Sequence, residues 1–375
     1  MSLSQQQLLD VVEKLCVEVV GKNAAQVDAT AQFPEASISA LAKAGVLGTL
    51  SAPEAGGHGL GPRGAVLVVE RLARECASTA MVVAMHFSAT AVLEKYAPIP
   101  LRKSAASGET LATLAFSEVG SRSHFWAALG SAARTGDTVT LNGKKSWATS
   151  ASRAGYVWSS KPVAAAGMST LWWVPAKTKG LRVSGGFDGL GLRGNDSAPV
   201  TAEGVEIPAA NMLGKDGEGF DIMLGTVLPF FNAMNAACSV GLMEAAVART
   251  AAHATGTTFT QLASTIADLP TARAYIARMR IKTDLARTLT MDTVAAMETG
   301  RADAVLRVLE SKAAAGELAT EVTDLAMRVC GGAAFRKEVG VERLFRDARA
   351  ATVMGPTSDV LYDFIGKAVC GLPLF

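Results

Sequence analysis

A chain of 375 residues, 49% hydrophobic and 19% charged, is longer than the ~250 to 300 residues that one hydrophobic core usually serves, so two or three domains with extensive buried helix are expected. Its formal net charge of +2 and the lack of any Lys/Arg-dense stretch exclude an electrostatic case for a nucleic-acid partner. No apolar run reaches the ~18 residues of a membrane span, and the opening MSLSQQQLLDVVEKL has no basic segment leading into an apolar one, so a cytoplasmic protein without a membrane partner is expected.

Residues 3 to 98 read as mostly helical. Leu8, Val12 and Leu15 begin a helical stripe, Phe33-Pro34 interrupts it, and Pro34 suits the first turn of a helix from Glu35 to Ala44 that Gly45 closes. SAPEAGGHGLGP, from Ser51 to Pro62, is too rich in Gly and Pro for regular structure. Two helices follow, Arg63 to Ala77 and Ser78 to about Tyr96, with Ser78 as the N-cap of the second.

From Glu109 the period changes to two. Leu111–Phe116, Thr138–Leu141, Lys144–Thr149, Gly155–Ser159, Thr170–Val174 and Val200–Val205 read as strands with turn residues between them. Short strands without intervening helices imply a closed or folded antiparallel sheet, and no GxGxxG follows any of them. Within LNGKKSWAT, Leu141 to Thr149, Asn142-Gly143 reads as a hairpin turn. Strand alternation then sets Trp147 and Thr149 side by side, a ring and a hydroxyl suited either to a β-core or to a wall for a planar cofactor.

After Asp216 helices return: Gly219–Ala254 with Pro229 as a kink or a delayed start, then Thr271–Met297, Asp303–Cys330, Lys337–Met354 and Ser358–Val369. Thr271–Met297 sets Ile281, Leu285 and Leu289 on one side and Arg273, Arg280 and Arg287 on another, the pattern of a bundle helix with its apolar side inward. The expected fold class is therefore α+β multidomain: a helical domain over 1–110, a middle antiparallel β-barrel or sandwich over 111–214, and a four- or five-helix bundle over 215–375. Cys16, Cys76, Cys238, Cys330 and Cys370 lie far apart and odd in number, and His58, His86, His124 and His253 form no metal-binding spacing. Buried thiols, a reducing compartment and no metal centre are expected.

Several segments in this order resemble the acyl-CoA dehydrogenase family over essentially the whole chain. They are LAKAGVLGTLSAPEAGGHGLG (Leu41–Gly61), VVERLARECAS (Val68–Ser78), LAFSEVGS (Leu114–Ser121), LNGKKSWAT, GLRG (191–194), VEIPAANMLG (205–214), GEGF (217–220), CGG (330–332) and VERLFRDAR (341–349). The resemblance implies a flavoprotein oxidoreductase that binds FAD between the β-domain and the bundle, and that forms a homotetramer or homodimer. Carried over by position, Phe116 and Ser117 would face the flavin, Ser123 would lie near the pyrophosphate, and Trp147 and Thr149 would cover the ring. Across a subunit interface, Gly331, Gly332, Arg328 and Thr357 would approach the cofactor.

The departures concern the catalytic base. In the family a Glu follows the RDAR-type motif, but the same register here reads Val353-Met354-Gly355-Pro356-Thr357, so Met354 or Gly355 takes the base position. The alternative acid on the first long C-terminal helix is missing from LPFFNAMN, Leu228 to Asn235. His86, His124 and Asp359 are the remaining candidates for proton handling, while Glu118 reads as a turn-fixing residue. Two reactions remain open: dehydrogenation of an acyl-CoA at its CH–CH group, with an electron-transfer flavoprotein as partner, or monooxygenation with reduced flavin, O2 and a flavin reductase. A thioester-processing lyase with structural flavin is a third.

Overall fold

The computed structural model describes residues 2–121 and 124–374. Helix α1 (Gln5–Leu15) opens with a reciprocal cap, the Ser4 hydroxyl accepting from the Gln7 amide while the Gln7 side chain accepts from the Ser4 amide. Helical backbone continues through a π-type turn, Cys16–Val20, into α2 (Gly21–Thr30). Pro34 immediately precedes α3 (Glu35–Lys43), and Gly45 follows at φ 77°. The Gly/Pro-rich loop holds one short 3-10 turn, Pro53–Ala55, before α4 (Gly61–Glu75) and α5 (Ala77–Tyr96). Ser78 is not the N-cap of α5: extended Cys76 holds that place, and the Ser78 hydroxyl instead accepts from the Gly194 amide at 3.2 Å. Helix α6 (Ile99–Ser107) ends the first helical layer.

The middle layer departs from a purely antiparallel sheet. It consists of β1 (Ala112–Ala115), β2 (Ser131–Thr135), β3 (Thr138–Ala148), β4 (Gly155–Ser160), β5 (Thr170–Val174), β6 (Leu181–Val183), β7 (Ala198–Pro208) and β8 (Met212–Leu213). Two four-stranded sheets form, ordered β1-β4-β5-β8 and β2-β3-β7-β6, and β1 runs parallel to β4. Their inner faces enclose a core that includes Tyr156, Trp158, Trp172, Val200 and Val205.

Asn142-Gly143 is not a hairpin turn. β3 runs straight through it with an irregularity in the ladder to β7, and the Asn142 side chain accepts from the Gly204 amide at 2.8 Å. The tight turn lies earlier, where Gly136 takes φ 60° between β2 and β3.

The third layer contains α7 (Gly219–Ile222), α8 (Leu228–Gly256), α9 (Pro270–Thr299), α10 (Ala304–Cys330), α11 (Val341–Ala348), α12 (Ala350–Val353) and α13 (Ser358–Val369). Pro229 delays the start of α8 instead of kinking it. A π-type turn, Met223–Val227, precedes it, and Pro229 falls in the first turn, where an amide has no intrahelical partner to lose. On α9 the apolar stripe does not face inward. Ile281 and Leu285 are each 59% exposed, while Arg280 and Arg287 bind Glu244 on α8, and Arg287 also reaches Glu70 on α4. The face actually buried is built from small residues, Thr283, Ala286, Thr290 and Thr293 with Met279 and Val294.

One continuous core, from Leu8 in α1 to Ala348 in α11, joins the first and third layers through α4, α5, α8 and α10. Contrary to the sequence expectation, two helical stretches, Ala77–Tyr96 and Gly219–Gly256, are long and apolar enough to cross a membrane; both are largely buried inside the protein. Cys16, Cys76, Cys238 and Cys330 are buried free thiols, whereas Cys370 is exposed.

Candidate functional site

Where the three layers meet there is a cavity of about 490 Å³. Helix α5 contributes Met81 and Met85, the β-layer Phe116, Ser117, Trp147 and Thr149, and the third layer Leu228, Phe231 and the segment Val353–Pro356. The loop between β6 and β7 closes one side with Phe187, Leu192, Arg193 and Asn195–Ser197.

The β-wall is shaped by breaks in strand pairing. Lys145 pairs with Val200 and Ala148 with Ala198, so Ser146-Trp147 face a single residue across the ladder, a bulge that turns Trp147 out of the sheet core. Trp147 is 60% exposed and stacks on Phe187, with ring centroids 3.9 Å apart and planes at 26°. Thr149 is nearly buried, its hydroxyl 3.5 Å from that of Ser197. The Ser117 carbonyl accepts from the Ser146 amide at 2.9 Å, which ties the residues after β1 to the bulge.

Behind that wall lies a buried ion pair. Glu118 accepts from the amides of Leu129 (2.5 Å) and Gly130 (3.0 Å) and sits 3.1 Å from the Lys145 ammonium. Lys145 also donates to the carbonyl and hydroxyl of Ser159, at 2.7 and 2.9 Å. Burial drives its pKa down to about 8 while the Glu118 charge pulls the other way.

The loop wall is fixed by α11. Gly191 passes so close to that helix that a Cβ there would lie 2.4 Å from the Arg346 carbonyl oxygen, which only glycine allows. Asp347 accepts from the Leu192 amide at 2.6 Å, and its burial raises its pKa to about 6. Arg346 grips both carboxylate oxygens of Asp28, at 2.9 and 2.6 Å, and donates to the Leu190 carbonyl.

Phe116, Ser117, Trp147, Thr149, Met354 and Gly355 all line this cavity. The other residues singled out from sequence lie elsewhere. His86 is wholly buried beneath β1, where its Nδ1 accepts from the Ala112 amide at 3.1 Å; burial lowers its pKa to about 4, so it is neutral at physiological pH and outside the lining. His124 is exposed and packs edge-on against Trp126, and Asp359 sits in the exposed first turn of α13. Neither reaches the cavity lining. Ser123 falls outside the described residues.

Arg328 and Gly331 line a separate groove with Phe335, Lys337 and Glu342, and Arg328 stacks on Tyr275. Gly331 takes φ 56°, and neither it nor Gly332 has a neighbour within 4 Å of a would-be Cβ. Thr357 stands at the start of α13 and makes no side-chain cap hydrogen bond.

Sequence reasoning missed Phe187 and Asp196, whose only signal is their nearness to the GLRG segment, and it gave Arg193, within that segment, no role in the site. Asp196 is the sole carboxylate on the lining among the described residues, and its Oδ2 is committed to the Ser152 amide and hydroxyl, at 3.0 and 2.5 Å. The lining fits a flat amphipathic ring, with apolar surface from Phe116, Leu228 and Phe231 and hydroxyls from Ser117, Thr149 and Ser197.

Residues 2–102 and 217–370 match the family models described as the N-terminal and C-terminal domains of acyl-CoA dehydrogenase. The chain is 29% identical to cyclohex-1-ene-1-carbonyl-CoA dehydrogenase of Geobacter metallireducens over 97% of each protein. It is 28% identical to human mitochondrial short-chain specific acyl-CoA dehydrogenase, over 95% of this chain and 88% of that one. Its fold superposes on that of glutaryl-coenzyme A dehydrogenase in its glutaryl-CoA complex with a TM-score of 0.92 at 26% identity, covering 100% of this chain and 97% of that one.

Proposed function

Since the chain belongs to the acyl-CoA dehydrogenase family of FAD-dependent oxidoreductases, we propose that it acts on the CH–CH group of an acyl-CoA thioester with an apolar acyl group, without the usual carboxylate base. The observation that carries this reading is the lining itself. Around Met354 and Gly355 it offers Met81, Met85, Leu228, Phe231 and Val353, and its one carboxylate, Asp196, is already bonded to Ser152.

Bound FAD supplies the hydride acceptor at this site. Phe116, Ser117, Trp147 and Thr149 would hold it, with the ring of Trp147 kept in place by Phe187. The apolar residues exclude water and orient the acyl chain. Dehydrogenation also removes a proton from the carbon beside the thioester carbonyl, and a well-placed carboxylate base is worth roughly 10²- to 10⁴-fold in rate. Without one, that factor is missing and turnover is slow. The thioester class is supported by the substrates for which the relatives are named, cyclohex-1-ene-1-carbonyl-CoA and glutaryl-CoA. A homotetramer or homodimer, an electron-transfer flavoprotein as electron acceptor and a cytoplasmic location complete the reading.

Monooxygenation with reduced flavin from a reductase would need a proton-handling pocket. His86 and His124, the residues suited to that, lie outside the cavity lining, which favours the dehydrogenase reading. Anaerobic mixing of the yellow holoenzyme with a panel of acyl-CoAs tests it. Bleaching of the flavin absorbance by at least one thioester is expected. No bleaching by any of them, together with reductase-dependent O2 uptake, would overturn it.

A further inference from the structure

The segment that walls the cavity on the third-layer side, Ala350 to Pro356, has little to hold it. Its side chains are alanines, Thr352, Val353, Met354, Gly355 and Pro356. Pro356 has no amide hydrogen, and the Thr352 hydroxyl bonds only locally, to the Arg349 carbonyl at 3.2 Å. The short helix α12 ends at Val353, so carbonyls from its last turn onward lack intrahelical donors.

One side chain supplies those donors. Lys312, in the middle of α10 and 1% exposed, donates to the carbonyl of Ala351 at 3.0 Å, of Met354 at 3.0 Å and of Pro356 at 2.8 Å. An ammonium has three N–H groups and no acceptor, so each of its donors meets one carbonyl of the same segment. Among the described residues no carboxylate forms a salt bridge with Lys312, and burial alone lowers its pKa to about 7. A structural lysine without a counter-ion costs free energy when desolvated, and an apolar side chain would fill the same space without that penalty. What the lysine adds is geometry: three carbonyls drawn to one point, which fixes the backbone on both sides of Gly355.

We infer that Lys312 is a positioning residue for the reaction, holding the Ala351–Pro356 backbone against α10 so that Met354 and Gly355 face the cavity. Lys312 is not itself among the residues that line the cavity and acts through the segment it holds. The inference rests on the proposed use of this cavity for flavin and acyl-CoA, and its test separates the two.

Arg349, just before the segment, is exposed, so trypsin cleavage after it reports release of the backbone without any substrate. In Lys312→Met, cleavage after Arg349 is expected to accelerate on the order of tenfold relative to wild type, in proportion to the open population. The change in the flavin absorbance band on adding butanoyl-CoA is expected to need on the order of tenfold more ligand. Lys312→Gln, with two amide N–H donors, falls between, and Lys312→Arg, which keeps charge and donors, returns both readings toward wild type. If Lys312→Met does not fold, Lys312→Gln against Lys312→Arg carries the same comparison. Cleavage and spectral titration that stay within about twofold of wild type in Lys312→Met or Lys312→Gln would overturn the inference. A wild-type protein whose flavin ignores every acyl-CoA would overturn the substrate reading and leave the cleavage test of Lys312 standing.

Discussion

Met354 places its sulfur 3.4 Å from the Asn235 side-chain nitrogen, while Asn235 is 2% exposed and its amide oxygen has no partner. A carboxylate put at this position would therefore inherit a hydrogen-bond donor, the arrangement that favours the charged form of a buried acid. Met354→Glu is expected to raise the rate of flavin bleaching by an acyl-CoA at least on the order of tenfold, within the roughly 10²- to 10⁴-fold range of a positioned base. Stopped-flow bleaching with intact FAD content checks it, and an unchanged rate would mean that the cavity does not present the acyl carbon to this residue. At the opposite wall, Phe187→Ala removes the partner of Trp147. Loss of one aromatic stack is worth roughly 0.5 to 1.5 kcal/mol, which predicts FAD binding weaker by about two- to tenfold in a titration of the apoprotein. Phe116, Ser117, Trp147, Thr149, Met354 and Gly355 were legible from local motifs because each sits in a short segment that carries its own pattern. Asn235, Lys312 and Phe187 were not, since their roles come from partners 119, 42 and 40 positions away in the chain, as the Asn235–Met354, Lys312–Met354 and Trp147–Phe187 contacts show.

Beyond its ladders to β2 and β7, strand β3 is bolted to the turn after β1 by Glu118 and Lys145. Both side chains are nearly fully buried, so removing one charge strands the other. Glu118→Gln is expected to cost about 3 to 5 kcal/mol in denaturant unfolding of the domain, whereas replacing both residues by apolar ones of similar volume is expected to recover most of it. The pH dependence has a defined sign. Lys145 already has a pKa of about 8 in the fold, against an ordinary 10.5. Without Glu118 it falls further, so the folded protein binds fewer protons than the unfolded chain and the variant regains stability as pH rises from neutral toward 10.5. A variant that loses stability over that range would contradict the pair. The same strand shows where sequence reading stops. β1, β4 and β5 are legible as short, largely apolar runs buried along their whole length, but β2 has the exposed sequence Ser131–Thr135 and gives no such signal. Asn142-Gly143 looks like a turn locally, yet pairing with β7 on one side overrides it, and parallel pairing of β1 with β4 has no signature in either strand alone. On α9 the apolar stripe misleads because Arg280 and Arg287 pair with Glu244 on α8 and the buried Glu70 on α4, and the face packed inward is a row of small residues that carries no strong apolar signal.

Across the whole molecule, the three layers are locked at one knot. Asp28 from the first layer and Arg346 from the third form a two-pronged pair; Arg346 and Asp347 hold Leu190 and Leu192 of the middle layer; Arg193 donates back to the Asp28 carbonyl at 2.9 Å. Gly189, Gly191, Leu192 and Arg193 line the cavity, so the knot that joins the layers also shapes the site. Asp347 is its costly member. It is buried, its pKa rises from 3.8 to about 6, and burial outweighs the opposing pull of the Leu192 amide and Arg343. A carboxyl with a raised pKa favours the fold most when protonated: its contribution is fully present below about pH 4 and is lost as pH climbs through about 6. The gap between 3.8 and about 6 corresponds to roughly 3 kcal/mol above the upper value. Asp347→Asn keeps an oxygen for the Leu192 amide and carries no charge at any pH. It is therefore expected to match wild type below about pH 4, to exceed it by roughly half of the full effect near pH 5, and to exceed it by up to roughly 3 kcal/mol toward pH 8. Paired melting curves of the two proteins across that range measure the difference directly. A difference that stays flat, or one that favours wild type more strongly at pH 8, would mean that the charge of Asp347 is stabilised by Arg343 and Arg346 more than burial penalises it, and that the knot is held by ion pairing instead of by the neutral hydrogen bond.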